Sequence, residues 1–186
     1  MVVFDTSFLA IAFDEHAAVP ADPTTGAPLV KCRERIDLLI KNLGINKTRI
    51  LIPTPVIAEF MVYGGRDKNK RLELITNSRS FSIAPFDIRA AIECSLIEEE
   101  DYRSKRNEPS DETKAKVKFD RQIIAVALAR GAKGIFTGDK KLAHKAKQCG
   151  LIATLTWELE LPSEPAPAKP SPQMNISFHD GDSLSQ

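Results

Sequence analysis

The chain has 186 residues, of which 42% are hydrophobic and 27% charged, and its formal net charge is +1. This composition predicts one domain with a substantial core, and no window is apolar and long enough to resemble a membrane span. Because a net charge near zero supplies no global basic field, any binding of nucleic acid must rely on local basic clusters.

The first half of the chain predicts strands that alternate with helices. An apolar run from Met1 reads as a strand that ends near Asp5, and a loop rich in Pro, Asp and Gly covers residues 14–28. The N-terminal stretch MVVFDTSFLAIAF lacks the basic region that precedes the apolar run of a secretion signal, so we expect a cytoplasmic protein. A helix over residues 31–43 and the strand RILIP follow. Thr54 is expected to cap the next helix, with Pro55 at its first position, and this helix carries Glu59.

The second half continues the alternation. We expect a helix over residues 68–77, the strand FSIAPF, a helix from Asp87 through IEEED, and a helix that starts at Asp120 and stops at Gly131. The polar segment 102–117 has no predicted form. The strand GIFT, a helix that starts at Asp139 or Lys140 and the strand LIATL complete the pattern.

This alternation predicts an α/β fold over residues 1–158, with a mainly parallel sheet covered by helices on both faces. Residues 159–186 contain prolines at 162, 165, 167, 170 and 172, a spacing that resists both helix and sheet. We therefore expect a proline-rich, disordered tail there. Cys32, Cys94 and Cys149 are scattered and odd in number, which favours reduced thiols over disulfides or a zinc site.

Four carboxylates are expected at one edge of the sheet. Asp5 and Asp139 follow strands, while Glu59 and Asp120 lie near the starts of helices, and these positions share the carboxyl edge of a parallel sheet. Each residue could instead act alone, as a helix cap, a turn residue or a surface charge. Asp5 and Asp120 stand in apolar sequence, however, where a carboxylate costs several kcal/mol unless it is paired or bound to a cation. Clustered carboxylates of this kind favour Mg²⁺ or Mn²⁺ and phosphodiester hydrolysis.

Three stretches, VVFDTSFL, TPVIAEF and KFDRQIIAVALARGAKGIFTGDKKL, together resemble the PIN-domain ribonucleases, in particular the VapC-like toxins of toxin-antitoxin pairs. The resemblance covers Met1 to about Leu155 and includes the order and spacing of the motifs. It implies a PIN-like three-layer α/β/α fold and a metal-dependent endoribonuclease. It also implies an RNA substrate, an antitoxin partner and a homodimer.

Carried over by position, the resemblance makes Asp5, Glu59, Asp120 and Asp139 the catalytic, metal-binding residues for Mg²⁺ or Mn²⁺. Ser7 and Thr137 would support them through their hydroxyl groups. Many toxin members have another acidic residue and an aromatic after the last aspartate, where this chain has Lys-Lys-Leu. We expect basic residues near the site to bind substrate phosphates, namely Lys118, Arg121, Lys140 and Lys141.

Other readings are weaker. A phosphatase of the haloacid-dehalogenase type would place a second acid where Ser7 stands, and a response-regulator receiver would need an acidic pair before its phosphoacceptor. The main alternative is a PIN-like module that binds RNA or protein without cutting it. A surface that only binds phosphates gains nothing from buried anions, so four acidic positions favour the enzyme.

Overall fold

The structure is a computed structural model and describes residues 1–14, 16–63, 68–104 and 113–162. Its five strands are β1 (Val2–Phe4), β2 (Ile50–Pro53), β3 (Phe81–Ala84), β4 (Gly134–Thr137) and β5 (Ile152–Leu155). The described helices are α1 (Thr6–Phe13), α2 (Cys32–Ile45), α3 (Thr54–Tyr63), α4 (Lys68–Thr76), α5 (Ile88–Arg103), α6 (Lys114–Ala129) and α7 (Lys140–Gln148), and a 3₁₀ turn covers Thr156–Glu158.

The strands form one sheet in the order β3-β2-β1-β4-β5, and every paired strand runs parallel to its neighbour. The predicted α/β class and parallel sheet are therefore confirmed. The strand order reverses between β1 and β4, because the chain moves outward through β2 and β3 on one side and through β5 on the other. In open parallel sheets, ligands bind in the crevice at the carboxyl ends of the strands at such a switch point.

Aromatic residues from β1, α1 and β4 pack together beside the carboxyl ends of β1 and β4. Phe4 and Phe8 are fully buried, and their ring centroids lie 4.6 Å apart. Phe136 of β4 packs against both rings, with centroids 5.6 Å from Phe4 and 5.7 Å from Phe8. The residues on either side of Asp5 in β1 and α1 are therefore held by the core, so the backbone that carries this carboxylate has little freedom.

The start of α6 differs from the prediction. The helix begins at Lys114 and not at Asp120, and its N-cap is Thr113, whose hydroxyl accepts a hydrogen bond from Lys116 N–H. Residues Ala115, Phe119 and Ile123 are four apart, so the apolar face continues through the added turns. Asp120 thus lies in the second turn, so the predicted helix start is wrong and the alternative role of Asp120 as a helix cap is excluded.

The remaining boundaries lie close to those predicted. Helix α3 begins at Thr54, one residue early, and the Thr54 hydroxyl accepts a hydrogen bond from Phe86 N–H. The three cysteines are free thiols. Leu159, the first residue assigned to the tail, is buried and its carbonyl accepts a hydrogen bond from Arg35. Residues 105–112 of the unassigned segment and 163–186 of the tail lie outside the described residues.

Within the described ranges, none of the helices has both the length and the apolar character that crossing a membrane requires.

Candidate active site

A cavity of about 1090 Å³ opens at the switch point between β1 and β4. Its lining includes Asp5 and Asp139, which follow these two strands, together with Glu59 from α3 and Asp120 from α6. The four carboxylates that the sequence placed at one edge of the sheet therefore face one cavity. Their elements are far apart in the chain, so the convergence arises from the parallel topology.

Asp5 is the most deeply buried of the four, with 4% of its surface exposed. Its Oδ1 accepts a hydrogen bond of 2.8 Å from Phe8 N–H, so Asp5 caps α1 as the sequence allowed. Ser7 donates its hydroxyl hydrogen to the same carboxylate, with both oxygens 2.9 Å away. Thr137 donates to Oδ2 from the end of β4. Asp5 thus serves as a helix cap and as a wall of the cavity.

The turn after β4 fixes the direction of these two hydroxyl groups. Ser7 Oγ accepts a hydrogen bond of 2.9 Å from Gly138 N–H, and Thr137 Oγ1 accepts one of 2.9 Å from Asp139 N–H. A hydroxyl that accepts from these amides directs its own hydrogen toward Asp5. A Cβ atom at Gly138 would lie 3.0 Å from Ser7 Oγ, so the Thr-Gly-Asp motif leaves room for this contact.

The environment of Asp5 favours its neutral form more than water does. Burial raises the pKa of Asp5 to about 6, against the lowering effect of hydrogen bonds from Thr137, Phe8 and Ser7, and the charge of Asp139 adds to the rise. Burial outweighs three hydrogen bonds here because none of their donors carries a full positive charge. A cation in the cavity would reverse this balance.

Asp139 caps α7 and faces the cavity with its other oxygen. Its Oδ1 accepts hydrogen bonds from Lys141 N–H at 2.7 Å and from Leu142 N–H at 3.2 Å. Its Oδ2 lies 2.5 Å from Lys116 Nζ. Burial acts to raise the pKa of Asp139, but the hydrogen bond from Lys116 and those from the two backbone amides prevail and lower it. Asp139 is therefore ionised at neutral pH.

Glu59 and Asp120 complete the acidic wall and are partly exposed. Glu59 Oε2 accepts a hydrogen bond of 2.5 Å from Thr6 Oγ1, which ties α3 to the first turn of α1. Asp120 lines the cavity from the second turn of α6, which begins six residues earlier at Lys114. The sequence identified both residues as lining the site, although it misplaced the helix start.

The chemistry of these side chains suits a hard divalent cation, which prefers carboxylate oxygens. One oxygen of each of three carboxylates already accepts a hydrogen bond from a side chain. Asp5 Oδ2 accepts from Thr137, Asp139 Oδ2 from Lys116, and Glu59 Oε2 from Thr6. Among the described residues, no three His, Cys, Asp or Glu side chains stand together as a group that could hold a metal ion. A metal bound in this cavity would draw its ligands from Asp5, Glu59, Asp120 and Asp139.

The predicted phosphate-binding residues divide into two sets. Lys140 lines the cavity, and its ammonium group lies 5.2 Å from the centre of the Trp157 ring, a cation–π geometry. Lys118 and Lys141 are exposed and do not belong to the cavity lining. Arg121 also lies outside the lining, since it donates two hydrogen bonds to Asp101 Oδ2, at 3.1 and 2.8 Å.

The sequence missed other parts of the cavity. Lys116 is four residues before Asp120, so the two side chains share one face of α6. This spacing is informative only because α6 begins at Lys114 and includes both residues. Asp14 also lines the cavity, but Arg71 pairs with it at 2.8 Å. Apolar residues complete the lining, four of them from the loop after α1; they are Ala10, Ile11, Ala17, Ala18, Val19, Pro20, Ala115, Phe119, Ile123 and Leu142.

The sequence matches no protein-family model and no curated protein. Solved structures do match. A chain of the VapBC2 complex of Rickettsia felis, bound to a DNA fragment from its promoter, is 17% identical with a TM-score of 0.55, and the match covers 83% of this chain and 98% of that one. A chain of DNA-bound VapBC from Salmonella typhimurium is 13% identical with a TM-score of 0.50, covering 83% and 97%. The fold is that of a VapC-like PIN domain.

A third structure is VapC20 of Mycobacterium tuberculosis, a toxin that cleaves the sarcin–ricin loop; it is 13% identical with a TM-score of 0.46, and the match covers 82% of this chain and 97% of that one. At these identities the likeness concerns the PIN fold alone.

Proposed function

We propose that this chain is an endoribonuclease that hydrolyses RNA phosphodiester bonds with Mg²⁺ or Mn²⁺. The observation that supports the proposal most strongly is the convergence of Asp5, Glu59, Asp120 and Asp139 on one cavity at the switch point of a PIN-like sheet. Such a metal, when bound by these carboxylates, activates a water molecule and stabilises charge on the phosphate oxygens. The fold likeness agrees with this reading but does not carry it.

The charge of the cavity supports the need for a cation. Asp5, Glu59, Asp120 and Asp139 contribute four negative charges when ionised, and Lys116 and Lys140 contribute two positive charges. The remaining carboxylate, Asp14, is neutralised by Arg71. This leaves an excess of two negative charges, which would repel the phosphates of RNA. One divalent cation would balance that excess.

The chain's own residues would orient and bind. Ser7 and Thr137 hold the Asp5 carboxylate in a fixed direction, since their hydroxyls are themselves fixed by backbone amides. The two backbone hydrogen bonds to Asp139 Oδ1 do the same for its carboxylate. Lys140 lines the same cavity and can neutralise a substrate phosphate. The apolar part of the lining, with Phe119, can exclude water and contact a nucleobase.

We further propose that the chain acts as the toxin of a toxin-antitoxin pair, with an antitoxin protein as its partner. Two of the similar structures are VapBC complexes, which supports a partner of that class. Induced expression of the chain should arrest bacterial growth, while Asp5→Asn should not. Growth arrest that persists in the Asp5→Asn variant would contradict a role that depends on catalysis.

The expected homodimer also has a candidate surface on α5. Ile88, Ile92 and Leu96 are spaced four residues apart and are 75%, 55% and 53% exposed. Apolar side chains aligned on a described helix face at this exposure are typical of an interaction surface.

The charges of α5 favour a second copy of this chain as the occupant. If two α5 helices pair antiparallel about a twofold axis, with Ile92 opposite Leu96 of the other copy, Arg89 of each copy lies near Glu99 and Glu100 of its partner. All three charged residues are exposed. The helix is therefore complementary to itself in charge as well as in apolar character.

A module that binds RNA without cutting it remains the second candidate. No distinguishing feature of the cavity favours it, because the excess of negative charge hinders RNA binding in the absence of a cation. Cleavage of single-stranded RNA by the purified full-length chain, with Mg²⁺ or Mn²⁺ against an EDTA control, separates the two candidates.

A further inference from the structure

Lys116 lines the cavity, although none of the sequence motifs predicted a role for it. Its Nζ lies 2.5 Å from Asp139 Oδ2, inside a cavity that the other three candidate ligands also line. Lys116 is in the first turn of α6, in the part of the helix that extends past the predicted start at Asp120. The extension of α6 is thus what brings an ammonium group into the acidic cavity.

The two oxygens of Asp139 have different roles, and this makes the position of Lys116 informative. Oδ1 is occupied by the backbone amides of Lys141 and Leu142, which cap α7. Losing that oxygen would leave the start of α7 uncapped. A cation that binds Asp139 without disrupting α7 must therefore use Oδ2, the oxygen that Lys116 contacts.

We propose that Lys116 is an internal counter-cation of the metal site: it occupies Asp139 Oδ2 in the metal-free protein, competes with the divalent cation, and is released when the cation binds. This inference rests on the proposed metal-dependent function. The side chain of Lys116 is 45% exposed, so its ammonium group can turn into solvent while little buried apolar surface is lost. The side chain of Asp139, at 24% exposed, stays fixed by its cap.

Two opposite effects follow from this role. Without metal, Lys116 reduces the repulsion between Asp139 and the neighbouring carboxylates, so its removal should lower the melting temperature in EDTA. With metal, the same removal eliminates a competitor, so metal should bind more tightly. An exposed ion pair of this kind is consistent with a gain in affinity of about two- to fivefold.

The test compares Lys116→Met with Lys114→Met in the full-length chain. Lys114 is an exposed lysine in the same helical turn and does not line the cavity, so it controls for the loss of one positive charge. Mn²⁺ affinity is measured by isothermal titration calorimetry, and melting temperature is measured in EDTA. Both substitutions are repeated in an Asp139→Asn background, which removes the proposed partner.

We expect Lys116→Met to bind Mn²⁺ about two- to fivefold more tightly and to melt lower in EDTA, with both differences lost in the Asp139→Asn background. Lys114→Met should resemble the wild type in both measurements. Equal Mn²⁺ affinities in the wild type and Lys116→Met would overturn the counter-cation role while leaving the metal site intact. If none of the variants binds Mn²⁺, the proposed metal site fails, and the counter-cation role fails with it.

Discussion

Asp5→Asn should change how the stability of the protein depends on pH. Burial raises the pKa of Asp5 from its ordinary value of 3.8 to about 6 in the folded protein. Between these two pH values, the folded state therefore holds a proton on Asp5 that the unfolded state has already released. This contribution to stability is fully present below pH 3.8 and is lost as the pH rises through 6.

The size of the effect follows from the shift in pKa. The difference between about 6 and 3.8 is roughly 2.2 units, and at 1.36 kcal/mol per unit it corresponds to about 3 kcal/mol. Asparagine does not titrate, so it lacks this loss. The rearrangement of the Ser7 and Thr137 hydroxyls around an amide costs an amount that does not depend on pH. That cost cancels when each protein is compared with itself at two pH values.

The assay is urea unfolding of the wild type and Asp5→Asn in EDTA, at pH 3.5 and pH 7.5. Between these conditions, the free energy of unfolding of Asp5→Asn relative to the wild type should rise by about 3 kcal/mol. Other carboxylates titrate in both proteins and drop out of the difference. A relative change below about 0.5 kcal/mol would refute the inference that burial dominates the environment of Asp5.

Three further predictions concern neighbouring residues. Thr137→Val should move the midpoint of the Asp5 titration, measured from the same stability difference, to higher pH, because a hydrogen bond that lowers its pKa is lost; an unchanged midpoint would exclude that contact. Lys140→Ala should weaken RNA binding and reduce the salt slope by about one, whereas the exposed Lys147→Ala at the other end of α7 should not; equal slopes would assign Lys140 to a solvated surface. Ile92→Glu should convert a dimer into a monomer in analytical ultracentrifugation; a dimer that persists would place the interface away from α5.

Much of the fold was predictable because apolar periodicity and turn residues agree along most of the chain. Strands such as Gly134–Thr137 are short and largely apolar, and this strand is bounded by the helix stop at Gly131 and the acidic turn at Asp139. The parallel order then placed Asp5 and Asp139 at one edge without any knowledge of their contacts. The helix start at Asp120 was wrong, because an aspartate before an apolar run resembles a cap even when Thr113 caps the helix seven residues before its predicted start.

The contacts inside the cavity were not predictable from the sequence. Lys116 had no predicted role in the cavity, since only the added turns of α6 bring its ammonium group to Asp139. Likewise, the sequence predicted that Arg121 binds phosphate, but its guanidinium group instead donates hydrogen bonds to Asp101 on α5. Such pairings depend on how helices pack together, which local patterns do not encode.

RNA cleavage by the purified full-length chain tests the central claim most directly. Single-stranded RNA is incubated with Mn²⁺, with Mg²⁺ and with EDTA, using the wild type, Asp120→Asn and, as a matched control, the exposed Asp37→Asn on α2. We expect cleavage by the wild type and Asp37→Asn that requires the metal, and a loss of about a hundredfold or more in Asp120→Asn, the cost of removing one charge-stabilising group. Cleavage that continues in EDTA, or that Asp120→Asn retains at the wild-type rate with metal present, would contradict a metal-dependent nuclease at this cavity.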